Sequence, residues 1–434
     1  MSKILRIFIY LIFLTFFTLI LLLMTIGIET KRFNNLIVDK ILLMNENLFI
    51  DLNSIKFKFD LSETSLFLET DKPILNYRKT SVPVKNIKAY VDFLSLIKTK
   101  PSIKKINLIL EQLNMNELKN LSVVLKPSNL RSLISNNINK GIIDTEIEFY
   151  LNNDNDIKNF IAKGNVTNLD FSFKDNISFK KVNFNFFADQ SDILIKNIFG
   201  NLNEIKIKDG DIRIEVATGI KINSSFSSDL ILKDKLPKKY LKFLNNFELG
   251  KNISYLDVSL NNNLKIKLDK TYKVDDYSYD ISGKINRANI EFKKPKKIEF
   301  TDEKIDSLEI KKSDIKSIFS TKKNTSQISG KYSINKKNFQ DFNVKHDSLK
   351  DYITLNIDID FDRKIKIDLI NYYKPEGINS NFSLSVKKRK DKIIINKLNY
   401  LENQNQITIE ELNLKSNNFI SVKNIAIKTF DKSK

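Results

Sequence analysis

The chain has no cysteine, no tryptophan and a single histidine, and only 10 glycines and 7 prolines in 434 residues. Each shortage excludes something. Without cysteine there is no disulfide, no thiolate metal site and no cysteine nucleophile. One histidine leaves almost no room for a histidine-rich zinc centre or a Ser-His-Asp triad. Scarce glycine argues against Gly-rich phosphate loops, and no long Pro/Gly/Ser linker divides the chain. Acidic residues are also short, 52 against 72 lysines and arginines, for a formal net charge of +20. The composition points away from an enzyme and towards a chain that anchors, holds or conducts something, with no catalytic, cofactor or metal residues.

What is present begins with one long apolar run. Lys3 and Arg6 precede Ile7 to Ile28, which carries no charge. At about 1.5 Å per residue the run spans roughly 33 Å, enough for a hydrocarbon core and too long for a signal-peptide core. It reads as an uncleaved anchor with a cytoplasmic N-terminus, although Lys31 and Arg32 weaken the charge bias. No other stretch is long and apolar enough, so the rest should lie on one side, outside the cytoplasm.

Beyond the anchor the chain alternates apolar and polar residues with a period of two, the signature of strands with one apolar face. Leu169, Phe171 and Phe173 follow this rule, as do Val182, Phe184 and Phe186. So do Ile205, Ile207, Ile212, Ile214 and Val216, then Leu264, Ile266 and Leu268. Ile353 to Phe361, Ile365 to Leu369, Phe382 to Val386 and Ile407 to Leu414 continue it. Lys174-Asp175-Asn176, Lys208-Asp209-Gly210-Asp211 and Asn261-Asn262-Asn263 read as turns, with Asp209-Gly210 the sharpest hairpin signal. Strand plus turn takes about a dozen residues, giving on the order of 25–30 strands that would extend about 120–140 Å. Gly141, Gly164, Gly200, Gly283 and Gly330 look like the openings or ends of strand groups. Helices are expected in part of Thr30 to Asn47, over Ser128 to Asn139, and over Leu236 to Phe247.

The expected fold is therefore mostly β: an N-terminal transmembrane helix, then an elongated, curled antiparallel β-sheet with a few short helices. Residues 1–28 form the cytoplasmic tip and anchor, 29–140 an N-terminal strand and helix region, and 141–434 a repeating β-groove. There are too few helices to cover an apolar face of that length. An open sheet would keep a greasy trough, and Phe171, Phe173, Phe184, Phe186, Ile205, Ile207, Ile212, Ile214 and Val216 are the candidates to share its concave face and line it.

This layout resembles the AsmA-like superfamily of bacterial envelope proteins. The likeness rests on the anchor followed by alternating strands. It is sharpest in Val82 to Ile97, where a strand leads into Ser95-Leu96-Ile97 before the next strand at Ile103 to Leu110, and again in Gly200 to Ile214. The resemblance implies an inner-membrane-anchored periplasmic β-groove that carries phospholipid towards the outer membrane. Family members are usually longer. No catalytic motif defines the family, so none is carried over.

Other signals have plainer readings. Asp358, Asp360 and Asp362 lie roughly 6.8 Å apart on one strand face, too far for a compact cation cage. Asn152 to Asp156 lacks the Gly and Glu of a calcium loop. His346 reads as a surface residue in a polar turn. Lys293-Lys294-Pro295-Lys296-Lys297 and Lys387-Lys388-Arg389-Lys390 read as charged turns or edges that discourage aggregation, or as contacts for anionic head groups. The positive charge is spread singly along strands, which argues against nucleic acid. The expected partners are phospholipid acyl chains and the inner membrane. A β-protein, or a continuation of the same chain, would pair with the edge near Ile420 to Ile427. The competing function is an assembly factor for outer-membrane proteins that works by β-edge pairing.

Overall fold

The computed structural model describes residues 3–31, 34–44, 47–63, 65–78, 80–91, 103–124, 132, 135–152, 156–172, 178–216, 219–233, 252–269, 273–297, 301, 303–368 and 371–430. Helix α1 (Lys3–Thr25) carries the apolar run. Over Ile4–Thr25 its mean hydropathy is 2.8 and none of it is buried, so it is long and apolar enough to cross a membrane. Its hydroxyls do not break it: Thr15, Thr18 and Thr25 each donate to the carbonyl four residues back, at 2.9, 2.7 and 2.8 Å, so they need no outside partner. The helix ends because Gly27 takes a left-handed conformation (φ 75°). The N–H groups of Ile26 and Gly27 both reach back to the Leu22 carbonyl, at 3.0 and 2.9 Å, which caps the last turn.

The first compact unit comprises Met1–Gly200 and Glu215–Ala217. It contains β1 (Ile28–Thr30), α2 (Asn34–Met44), β2 (Leu48–Asp51), β3 (Ile55–Asp60), β4 (Ser65–Asp71), β5 (Ile74–Tyr77), β6 (Thr80–Val82), β7 (Val84–Val91), β8 (Ile103–Leu110), β9 (Leu113–Asn114), α3 (Met115–Val124), β10 (Ile138–Leu151), β11 (Ile157–Ser172), β12 (Ser178–Ala188) and most of β13 (Asp192–Leu202). Pairing runs β1-β3-β4-β7-β8-β10-β11-β12, every pair antiparallel. A separate small sheet, β2-β5-β6, meets Ile37, Val38 and Ile41 of α2 around buried Ile50, Leu52, Ile55, Leu75 and Val84. Helix α3 starts at Asn114 for a local reason. The Asn114 Oδ1 accepts from the N–H groups of Asn116 and Glu117 at 2.9 and 3.2 Å, and Glu117 Oε2 accepts from the Asn114 N–H at 2.8 Å. That reciprocal pair is a capping box.

The second unit comprises Asn201–Ile214 and Thr218–Lys434. Its strands are β14 (Ile205–Glu215), β15 (Lys221–Lys233), β16 (Ile253–Leu268), β17 (Val274–Lys297), β18 (Lys304–Ser320), β19 (Lys323–Ile334), β20 (Gln340–Leu349), β21 (Ile353–Phe361), β22 (Ile365–Ile367), β23 (Tyr372–Lys374), β24 (Ser380–Arg389), β25 (Lys392–Glu402), β26 (Asn405–Lys415), β27 (Asn418–Ser421) and β28 (Asn424–Lys428). Apart from β22 and β23, which form their own hairpin, these belong to one 23-stranded sheet. Strand β1 pairs only with β3 and β28 only with β26 among the described residues, so the sheet is open.

The expected mostly β fold is present, with 28 strands among the described residues. Several local expectations are corrected. Asn261 to Asn263 is no turn; it lies inside β16. Asp209-Gly210 is no hairpin either; it lies inside β14, where Asp209 takes φ 49°. One extra residue there is a β-bulge, and it moves the apolar row from odd positions (Ile205, Ile207) to even ones (Ile212, Ile214). Asn168, Lys181, Asn197, Lys312 and Glu411 take similar φ values of 47–56° inside strands. The ladder breaks register beside them, for example between Val166 and Leu169 and between Lys311 and Asp314. The strands thus break register mostly at polar or charged residues, with one further shift, between Lys140 and Ile142, at Gly141. Gly283 and Gly330 sit mid-strand, not at strand starts. A Cβ on Gly283 would fall on the Ser259 carbonyl oxygen, and one on Gly330 on Ser313 Oγ, so close backbone approach demands glycine.

The helix expected before Asn47 is α2. Of that expected over Ser128 to Asn139, Ser132 and Ser135–Asn137 are helical, and Ile138 already begins β10. The helix expected over Leu236 to Phe247, the turn at Lys174 to Asn176, and Ser95-Leu96-Ile97 lie outside the described residues. His346 is half-buried within β20, paired with Ser326 and Leu355, not in a turn.

Candidate functional site

The apolar rows are the surface to be explained. In the second unit, cross-strand register sets Leu260 of β16 against Gly283 of β17, Gly283 against Ile315 of β18, Ile315 against Ile328 of β19 and Ile328 against Val344 of β20. Val344 in turn faces Ile357 of β21, and Ile357 faces Leu384 of β24. Few of these are fully covered. Val258, Ile285 and Ala288 are buried, while Leu230, Leu256, Leu260, Ile310, Ile315 and Ile328 pack round them half-buried. The polar exceptions in the row satisfy themselves. Asn262, 3% exposed, donates to Ser228 Oγ at 3.0 Å and accepts from the Tyr279 hydroxyl at 2.8 Å. Ser317 and Ser326 share a 3.0 Å hydrogen bond.

The first unit shows the same asymmetry more sharply. On β8 the polar row is the buried one, Lys105 and Asn107 being 7% and 6% exposed, while Ile106, Leu108 and Leu110 on the other face stay half-buried. Lys105 is held over the Tyr90 ring, 4.3 Å from its centroid, and bonds Glu63 at 2.7 Å. The Tyr90 hydroxyl donates to Asp60 at 3.0 Å. Burial and then that carboxylate push the Tyr90 pKa far above its usual value. Tyr150, half-buried and bonded to Glu148, is pushed up to about 12 by partial burial and that bond. Glu69 is held below the usual carboxylate range, burial being outweighed by its bonds to Lys58 and Asn86. The polar row is thus laced and neutralised, while Leu108 and Leu110 of the apolar row pack with Leu68 and Ile87 against the cluster of Ile50, Leu52, Ile55, Leu75 and Val84.

The candidate lining residues divide between the units. Phe171, Phe184 and Phe186 pack together in the first, around buried Met115, Val166, Leu169 and Val182, and Phe171 stacks on Phe179 with centroids 4.4 Å apart. Phe173 lies outside the described residues. Ile205, Ile207, Ile212 and Ile214 follow one face of β14 in the second unit, Ile207 buried and the others half-buried. Val216 follows the strand and is exposed. Two open depressions are bordered mostly by polar residues, although Leu260 and Ile315 of the apolar row also border the first. One of about 820 Å³ is bordered by Lys208, Asp229, Lys284 and Lys316, and one of about 670 Å³ by Glu111, Asp144, Lys163 and Phe186. Phe186 alone among the candidates borders either.

Sequence reasoning missed three contributors. Met115 and Leu118 of α3 close the phenylalanine cluster, and Asn114 with Glu117 was the signal for that helix. The row of β17 was missed because the bulge at Asn286, set between Val258–Ile285 and Asp257–Arg287 in the register, hides the alternation of Ile281 and Ile285 with Ala288 and Ile290. The third is the segment 362–378. Ile365 and Ile367 looked like another strand of the long sheet. They form instead the β22–β23 hairpin, which lays Ile365, Ile367 and Tyr372 against Leu308, Tyr332, Ile334, Phe361 and Tyr400. Asp358 and Asp360 do share one face and both accept from Asn381, at 3.1 and 3.0 Å. Asp362 leaves that row for the hairpin's base. No family model, curated protein or solved structure matches this chain.

Proposed function

We propose that this chain is a membrane-anchored, non-enzymatic β-trough that carries phospholipid between the inner and outer membranes of a bacterial envelope, with α1 in the inner membrane and the sheet in the periplasm. The observation that supports this most is the half-buried apolar row running from β16 to β24. Aliphatic side chains follow one another across register, yet few reach the burial of a protein core. A folded sheet that leaves such a row wet forgoes roughly 25 cal/mol for each Å² it could cover. Acyl chains would cover it, and a row without a deep pocket would let them move without residue-specific chemistry. The polar row would face water, and its lysines would suit anionic head groups.

The test is a photo-crosslinking amino acid at Ile315 and, separately, at Lys316, the next residue on the opposite face. In the intact chain, Ile315 should capture phospholipid and Lys316 should not. Equal capture at both, or none at Ile315, ends the reading.

The second reading, an assembly factor acting through edge pairing, is favoured by β28. Among the described residues this strand pairs with β26 alone, and all five of its residues are exposed, so its outer edge can accept a β-protein strand or further strands of the same chain. A proline at Ala426 that blocked partner capture while lipid capture at Ile315 persisted would support this role beside the first.

A further inference from the structure

Within the second unit, one segment covers part of the apolar row with polar groups of its own. Residues 362–378 connect β21 to β24, yet the β22–β23 hairpin inside them pairs with no strand of the long sheet. Its neck is a single backbone bond, Gly377 N–H to the Asp362 carbonyl at 2.8 Å. Gly377 takes φ 88° with open space around it. Ile365, Ile367 and Tyr372 rest on Leu308, Tyr332, Ile334, Phe361 and Tyr400, at the ends of β18, β19, β21 and β25. Polar groups fasten it as well, among them Asn338, which donates to Asp362 at 3.1 Å. Tyr372 bonds the Tyr400 hydroxyl at 3.0 Å and Glu402 at 2.8 Å. Arg363 donates to the Ile334 carbonyl at 3.2 Å and pairs with Glu376 at 3.0 Å, and Glu376 also pairs with Lys337 at 2.9 Å.

Two features mark this cover as separable. Among the described residues its hairpin pairs with no strand of the long sheet, and side chains attach it. It also carries two buried cations, Arg363 and Lys374, 3% and 1% exposed. Lys374 finds its bond inside the segment, donating to the Ile378 carbonyl at 2.6 Å. Burying charge is unfavourable unless well compensated, so the seated state is not held by hydrophobic contact alone. A hydrocarbon chain would cover the same aromatic and aliphatic floor without burying charge.

We propose that the described residues 362–368 and 371–378 form a displaceable flap whose seat on Leu308, Tyr332, Ile334, Phe361 and Tyr400 is a hydrocarbon-chain site, filled by phospholipid acyl groups when the flap lifts. The flap then guards a lateral entrance to the open row, which Ile315 occupies on the same strand as Leu308. This rests on the trough reading, and its test separates the two. The chain has no cysteine, so Tyr372→Cys with Tyr400→Cys can be bridged by a thiol-cleavable bismaleimide without side reactions. A photo-crosslinker at Leu308 or at Ile315 then reports capture from vesicles of phosphatidylglycerol and phosphatidylethanolamine. With the bridge cleaved, both positions should label. With it intact, labelling at Leu308 should fall at least tenfold while Ile315 keeps its own. Labelling at Leu308 that ignores the bridge, or that is absent while Ile315 labels, overturns the flap alone. No labelling at Ile315 in the parent overturns the trough and the flap together. A second measurement needs no substitution: amide exchange within 362–378 of the parent should quicken when these vesicles are added, and unchanged exchange overturns the flap.

Discussion

Leu308 and Ile315 lie on the same face of β18 and meet different fates. Leu308, half-buried like Ile315, packs in the cluster that the described part of the 362–378 segment joins, with Phe361 and Ile334 beside it. Ile315 sits among Leu260, Ile310 and Ile328, strand residues like itself. The covered stretch is closed with aromatic rings, a buried arginine and a buried lysine. The open stretch is aliphatic, with an occasional satisfied Asn or Ser. The difference teaches that half-burial of the row is no necessary result of sheet curvature. Where this chain closes the row it uses dedicated residues to do so. Where it leaves the row open, no such residues appear among those described.

The largest expected effect strikes the covered stretch. Arg363 links Glu376, Asp362 and the Ile334 carbonyl, and Asp362 is itself only 6% exposed. Arg363→Met leaves that carboxylate with Asn338, at 3.1 Å, as its remaining side-chain partner. Breaking a buried pair from one side costs about 3–5 kcal/mol, so the urea midpoint of the second unit should fall steeply. A change within error would mean the arginine is solvated and the stretch is not closed.

A paired comparison comes next. Phe361→Ala should cost about 3–4 kcal/mol because it leaves a cavity under the hairpin. Ile315→Ala should cost less, about 1–2 kcal/mol, since that side chain is only half-buried. Equal costs would erase the distinction between the two stretches and turn the open row into ordinary core.

How far these stretches were legible follows from what period-two patterning can carry. It gave the strand class and the faces, because side-chain direction depends on backbone alternation alone. It misplaced the turns. Asn261-Asn262-Asn263 has turn composition, but Leu260 and Leu264 keep the same phase across it. That unbroken phase was the better signal, and Asn262 can stay inside because Ser228 and Tyr279 satisfy it. At Asp209 the phase does change, by one residue, which is the mark of a bulge; a two-residue hairpin would have turned the chain back. The hairpin at 362–378 was hidden for another reason. Ile365 and Ile367 alternate like the rest, and only tertiary contacts decide whether such a run joins the ladder or folds onto its face. The candidate phenylalanines Phe171, Phe184 and Phe186 were found as neighbours because register joins β11 to β12. That Met115 would pack with them depended on α3, announced only by Asn114 and Glu117.

The smallest effect tests the covered stretch through its titration. Burial holds the Lys374 pKa below its usual value, against the pull of Asp362 and Glu402. The unfolded chain therefore binds this proton more tightly than the folded one. Stability should rise with pH from the lowered folded value up to the ordinary lysine value of about 10.5, and the burden of charging Lys374 is fully present below that window. Tyr372 works in the opposite sense. Its pKa is raised by burial and by bonds to Tyr400 and Glu402, so its contribution is lost only as pH climbs above about 10. In the alkaline range below about pH 10 the lysine should dominate the difference between parent and variant. Lys374→Met should raise the neutral-pH midpoint by an amount on the order of 1 kcal/mol and flatten the rise. Should the variant keep the parent's slope, the amine is wet in the folded chain, and the covered stretch is closed less tightly than the open one makes it look.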